Sequence, residues 1–150
     1  MRKLTYLAVM ILMVSLLCSF GLTSEAKADD LSNVTDIKLG VAGAHSGDLA
    51  SYGIPSVKAA ELVVNDINAH GGIQGKKVVL LVEDDVCKPE VATNTATKLL
   101  SQNVDVVMGH ICSGATKAAL GIYKGENIIC MSPSATNPEL TQSGDYPNFY

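Results

Sequence analysis

The stretch GHICSGAT, residues 109–116, sets a histidine, a cysteine and a serine within four positions. It lies between the apolar run VDVVM (104–108) and KAALGIYKGEN (117–127), which has helical spacing. Such residues support three kinds of chemistry: a nucleophile, half of a disulfide, or a cradle for a small anion. A nucleophilic Cys112 needs a base, and His110 is the nearest candidate. Side chains two apart at a strand end share a side, but spacing does not put them in hydrogen-bond reach. A lone histidine there is more often a structural hydrogen-bonder. Ser113 lacks the G-x-S-x-G elbow of serine hydrolases, and His45 and His70 fall in separate loops. Three histidines, with Cys87, Cys112 and Cys130, have no close paired spacing for a metal. The run Glu83-Asp84-Asp85 offers carboxylates for a cation, but such a run at a strand end reads as a solvated edge. Nucleotide motifs are weak as well. GVAGAHSG (40–47) lacks the G-x-G-x-x-G spacing. GIQGKKV (72–78) ends in Lys-Lys where a phosphate loop needs Lys-Ser/Thr, and Gly71, Gly72 and Gly75 read as turn punctuation.

The anion cradle has more physical support. In an open parallel sheet, ligands bind beyond the carboxyl ends of the strands. Ser113 stands there at a helix start, where free backbone N–H groups and the helix dipole favour a carboxylate. SPSATNPEL (132–140) leaves the next strand at the same sheet edge and offers Ser134 and Thr136. Two hydroxyls with backbone donors from adjacent loops suit a small carboxylate. A plain structural role suits them equally, with Ser113 capping its helix and Ser134 and Thr136 shaping a turn before Pro138. Spacing alone leaves both readings open.

The elements that would position these residues alternate along the chain. DIKLGVAG (36–43) reads as a strand. Residues 54–72 read as a helix, with Ile54, Val57, Ala60, Val64 and Ile67 on one face and Lys58, Glu61, Asn65 and Asn68 on the other. Gly71 and Gly72 stop it. KKVVLLVEDD (76–85) is a strand too apolar to have a wet face. A second helix starts near Pro89, a good first-turn residue, and buries Ala92, Ala96 and Leu99. VDVVMG (104–109) is a third strand. A third helix carries Ala115, Ala118, Ala119 and Ile122, and NIICMSP (127–133) is a fourth strand. YPNFY (146–150) begins a fifth. This pattern predicts an α/β fold: a parallel sheet with helices on both faces and right-handed crossovers. The chain stops inside an element, so a fragment is expected.

Of the 150 residues, 47% are hydrophobic and none is tryptophan, and the length suits one domain. Part of the apolar content belongs to a leader. Arg2 and Lys3 precede an apolar run from Leu4 to Phe20, and Ala26-Lys27-Ala28 offers the small residues a signal peptidase reads, so residues 1–28 are expected to be a signal peptide. An uncleaved membrane anchor is the alternative. Cys18 follows the bulky Leu17, which disfavours a lipid site, and it reads as part of the apolar run. Removing the leader takes Arg2, Lys3, Lys27 and Glu25, leaving eight basic and fourteen acidic residues, a net charge of −6. Such a surface repels phosphate backbones, so no nucleic-acid partner is expected. Export puts Cys87, Cys112 and Cys130 where disulfides persist, and an odd number leaves one free or paired between chains. There Cys112 is expected to be bonded rather than to be a free thiolate.

Five stretches resemble the branched-chain amino acid binding proteins, the periplasmic receptors of ABC importers. They are IKLGVAGAHSGDLASYG (37–53), VVNDINAHGGIQGKKV (63–78), EDDVCKP (83–89), GHICSGAT (109–116) and SPSATNPELT (132–141). The resemblance implies a periplasmic binding protein-like fold of type I, with two α/β lobes, a hinge and an amino acid in the cleft. Residues 29–150 would then form the N-terminal part of the first lobe. It also implies that Ser113 and Thr136 hold the ligand carboxylate through hydroxyl and backbone N–H. The Ser134 carbonyl would accept from the ammonium, Tyr52 would flank the side chain, and Cys87 and Cys112 would be disulfide-bonded. The second lobe, with its acidic partner for the ammonium, lies outside these residues. Asp48 stands where relatives often carry proline, Lys88 where they often carry aspartate, and Ser134 where alanine is common. Ser134 adds a hydroxyl near the ligand, which bears on side-chain preference.

The expected function is ligand capture for import, with no bond-making or bond-breaking and no cofactor or metal. The expected partners are an amino acid and a membrane ABC permease, and the complete protein is expected to be a periplasmic monomer. The rivals are an exported α/β hydrolase using Cys112 or a nearby serine, and a sensor of amides or other small metabolites on the same fold.

Overall fold

The computed structural model describes residues 35–150, so the expected leader at 1–28 lies outside the described residues. The elements are β1 (Asp36–Gly43), α1 (Ala50–Ala69), β2 (Lys77–Asp84), α2 (Pro89–Ser101), β3 (Val106–Met108), α3 (Ser113–Gly125), β4 (Ile129–Met131) and α4 (Glu139–Gln142). The strands form one parallel sheet in the order β2-β1-β3-β4. The expected fifth strand begins on the free edge of β4. Phe149 bridges Cys130 in parallel, and the Tyr150 N–H donates to the Cys130 carbonyl at 2.9 Å.

Side-chain alternation sorts the strands into two faces. Ala42, Val107 and Cys130 share a core with Ala92, Ala96 and Leu99 of α2 and Ala115, Ala119, Leu120 and Tyr123 of α3. Small residues on both helices let them lie close to the sheet. Ile37, Leu39, Val106 and Met108 face the other way, toward Ala60, Val64 and Ile67 of α1.

Helix α1 begins one turn before the expected start, so that Pro55 falls inside it. Gly53 gives the physical reason: a Cβ there would lie 1.8 Å from the Ala44 carbonyl oxygen. The first turn rests directly on the backbone that leaves β1, and this contact carries the helix past the proline. The apolar stripe is also narrower than its spacing suggests, since Ile54 is exposed. Strand β2 is less enclosed than its composition implies. It is an edge strand, and Val79 and Val82 are exposed. Asn68, expected on the polar face of α1, instead covers that edge. Its side chain exchanges two 2.8 Å hydrogen bonds with the N–H and carbonyl of Val78.

Candidate functional site

From β1 the chain runs outward to β2, then returns past β1 to β3 on its other side. The β1/β3 boundary is therefore the switch point of the sheet, where a crevice opens beyond the carboxyl ends. Four loops meet at that end: 43–46, 84–87, 109–112 and 132–136.

Gly109 lets the third loop turn. Its φ is +132°, and a Cβ would stand 2.0 Å from the Ala42 carbonyl oxygen, so a side chain is excluded. The Gly109–His110 peptide is cis. The carbonyls that follow are held by hydroxyls. Thr116 and Ser132 donate to the His110 carbonyl at 2.9 and 2.6 Å, and Ser134 donates to the Ile111 carbonyl at 2.9 Å. Helix α3 then starts at Ser113, preceded by Cys112 without any side-chain cap. Ser113 is thus no helix cap. Its Oγ accepts from the Thr136 and Asn137 N–H groups, both at 3.2 Å, and stitches the third loop to the fourth. The turn-shaping hydroxyl of the fourth loop belongs to Ser132, which accepts from the Ala135 N–H at 2.9 Å.

The structure therefore brings Ser113, Ser134 and Thr136 together. Tyr52 reaches the same end of the sheet in the first turn of α1, 67% exposed. Among the described residues, no hydrogen bond or ring contact joins it to the serine cluster. Cys87 and Cys112 are disulfide-bonded with Cα atoms 5.5 Å apart, and Cys130 is free and buried. Burial pushes the Cys130 thiol up to about 12.

The run Glu83-Asp84-Asp85 is not a solvated edge. Asp85 is fully buried, since its N–H continues the ladder to the Gly43 carbonyl at 2.9 Å and draws the residue under the loops. Its carboxylate accepts from the Cys87 N–H at 2.7 Å and lies 2.5 Å from His110 Nδ1. Asp84 accepts from the His45 N–H, the Ser46 hydroxyl and the Val86 N–H. Burial raises the Asp84 carboxyl, but these hydrogen bonds outweigh it and hold the pKa below the ordinary value. His110 is the structural hydrogen-bonder expected of it, with Nε2 3.0 Å from the Tyr123 hydroxyl. Its link to Asp85 was hidden in the sequence, because 25 residues separate two loops that only the sheet order brings together. The disulfide removes the nucleophile of a Cys112 hydrolase. Among the described residues, no group of three or more His, Cys, Asp or Glu side chains is placed to hold a metal.

Fold and loops together define a class: an open parallel α/β lobe whose ordered βα loops gather at the switch point of the sheet. The chain matches the family described as periplasmic binding protein over residues 36–150, and it belongs to that family. It is 45% identical over 109 residues to the leucine-specific-binding protein of Salmonella typhimurium and, equally, to the Leu/Ile/Val-binding protein of Escherichia coli K12. Each match covers 73% of this chain and 30% of the relative. Among solved structures, it resembles the branched-chain amino acid transporter substrate binding protein of Streptococcus pneumoniae in complex with isoleucine. That similarity has 38% identity and a TM-score of 0.71, covering 77% of this chain and 33% of that one. An ABC transporter substrate-binding protein of Desulfitobacterium hafniense in complex with Leu follows at 30% identity and a TM-score of 0.64. The chain thus spans about a third of the length of these relatives.

Proposed function

We propose that this chain is part of the first lobe of an extracytoplasmic substrate-binding protein of an ABC importer, and that it binds branched-chain aliphatic amino acids. The observation that carries the reading is the stitch between Ser113 and Thr136 at the switch point. Because Ser113 Oγ accepts two N–H groups, its own O–H is left to donate elsewhere. An incoming carboxylate takes that O–H, competes for the Thr136 N–H, and gains the unpaired N–H groups and positive end of α3. The Ser134 carbonyl serves the ammonium. The Ser134 hydroxyl is already committed to the Ile111 carbonyl, so it adds no donor toward the ligand side chain and leaves an aliphatic preference intact. Tyr52 flanks that side chain.

In this reading the chain makes and breaks no bonds. Residues 1–28 act as its export signal, residues 29–150 belong to the first lobe, and a membrane permease receives the loaded protein. The test is a hybrid in which residues 36–150 replace the matching segment of the E. coli Leu/Ile/Val-binding protein. Calorimetric titration with leucine, isoleucine, valine and a short-chain amide should give binding to the three amino acids only. A folded hybrid that binds the amide, or none of the four, overturns the reading.

A further inference from the structure

Two bonds join the ends of β2 and β3, strands that are not neighbours, because β1 lies between them. One is the Cys87–Cys112 disulfide. The other is the 2.5 Å contact between Asp85 Oδ2 and His110 Nδ1. Each partner of the second bond stands two residues before a partner of the first. The two therefore run side by side across the carboxyl end of β1. The polar bond extends inward, since His110 Nε2 meets the Tyr123 hydroxyl at 3.0 Å, and Asp85, His110 and Tyr123 are all fully buried. Tyr123 stays a protonated phenol, because burial raises its pKa far above the ordinary value.

This chain of groups grips both loops. Asp85 accepts from the Cys87 N–H at 2.7 Å, fixing a loop in which Val86 and Cys87 take left-handed φ of +46° and +61°. The His110 carbonyl takes the Thr116 and Ser132 hydroxyls, which fasten the start of α3 and the fourth loop to the same residue. Ser113 lies three residues beyond His110, on the segment so fastened.

We propose that His110, held between Asp85 and Tyr123, is the positioning residue of the ligand loop, a buried polar cross-link that keeps Ser113 in register whether or not the disulfide is closed. The ligand role of Ser113 rests on the function proposed above, whereas the cross-link itself is tested without ligand. The position of the loop is read from amide hydrogen exchange at Thr116, whose N–H donates to the Cys112 carbonyl at 2.8 Å, and at Ala135. Leu99 in α2 reports the core.

Reduction of the unmutated chain should raise exchange at Thr116 and Ala135 by less than about threefold. Reduction combined with Tyr123→Phe or His110→Leu should raise it by more than about tenfold while Leu99 moves less than about twofold. His110→Asn, whose amide can still donate to Asp85, should restore part of the protection. Should His110→Leu fail to fold, Tyr123→Phe alone carries the test, because it removes one hydroxyl and keeps the ring. Three results would overturn the proposal: a large loss of protection on reduction alone, unchanged exchange in reduced Tyr123→Phe, or a parallel rise at Leu99. Leucine titration of the hybrid judges the binding reading separately.

Discussion

The Thr136 and Asn137 N–H groups both donate to Ser113 Oγ at 3.2 Å. In the reading proposed above, the ligand carboxylate takes the Ser113 and Thr136 hydroxyls as well as the Thr136 N–H, each hydroxyl making a charge-assisted hydrogen bond worth about 1.5–3 kcal/mol. Ser113→Ala and Thr136→Ala in the hybrid should therefore weaken leucine binding roughly 10- to 150-fold with little change in melting temperature. Calorimetric titration checks this, and unchanged affinity would return both residues to a purely structural role. His45 makes a different kind of prediction. Both of its ring nitrogens are buried without a hydrogen-bond partner among the described residues, beneath the first turn of α1 at Gly53. Burial lowers its pKa below the usual 6.5, against an opposing pull from Asp84, Asp85 and Glu83. The folded chain thus binds fewer protons at His45 than the unfolded chain does. Its contribution is full above about 6.5 and is lost as pH falls through the lower, folded value. Thermal melts from pH 7 to pH 5 should show falling stability, and His45→Met should remove part of that slope. The same substitution should raise the melting temperature at pH 7, since an unsatisfied buried polar group costs about 1–3 kcal/mol. A melting temperature that stays flat in both proteins across this range would sink the idea. Asp84 acts in a separate window, below its ordinary 3.8.

At the scale of elements, the disulfide closes a loop of 25 positions around α2. The chain-entropy estimate for such a loop is about 3.5 kcal/mol. Peptide mapping without reduction should recover Cys87 and Cys112 linked, with Cys130 as the free thiol released only on unfolding. Recovery of Cys87 as a free thiol from exported protein would end this assignment. Much of this layer was legible in the sequence, and the limits are instructive. Strand and helix order followed from apolar runs and from punctuation at Gly71, Gly72 and Pro89, because those signals are local. The pairing of Cys87 with Cys112 came with the family resemblance and not from spacing. Features that depend on sheet order stayed hidden. Asp85 looks solvated until its strand is placed beside β1, and β2 looks enclosed until it becomes an edge. Asn68 looks like one more polar residue on a helix face until Val78 lies against it. Ser113, Ser134 and Thr136 were legible as a group because two consecutive βα loops open at the same end of a parallel sheet. Ser132, which holds the backbone of those loops, carries no signal of its own in sequence, and His110 was legible there as a hydrogen-bonder but without its partners Asp85 and Tyr123.

In the reading proposed above, residues 29–150 supply one wall of the ligand cleft. Ser134, Thr136 and Tyr52 are exposed there, and the matched segment covers about a third of the leucine-specific-binding protein and of the structure solved with isoleucine. With this wall alone, the ammonium would keep the Ser134 carbonyl but lack the acidic partner expected from a second lobe, a loss of about 1.5–3 kcal/mol. The ligand side chain stays half in water, which forfeits a further 1 kcal/mol or so for leucine, about half its full burial. For residues 29–150 expressed alone, no second lobe would close over the ligand, so its escape would be unhindered. The sheet points to a second consequence. Helix α1 leaves an apolar groove of about 280 Å³ against β1 and β3, and Ile129, Met131, Val63 and Leu62 are exposed. Large apolar surface beside an open strand edge favours self-association. Residues 29–150 expressed alone should therefore melt cooperatively, associate with rising concentration in sedimentation experiments, and show no leucine, isoleucine or valine binding in the micromolar range. Micromolar leucine binding by a folded monomer would mean that one wall suffices, and would move the whole recognition of the amino acid onto the loops after β3 and β4.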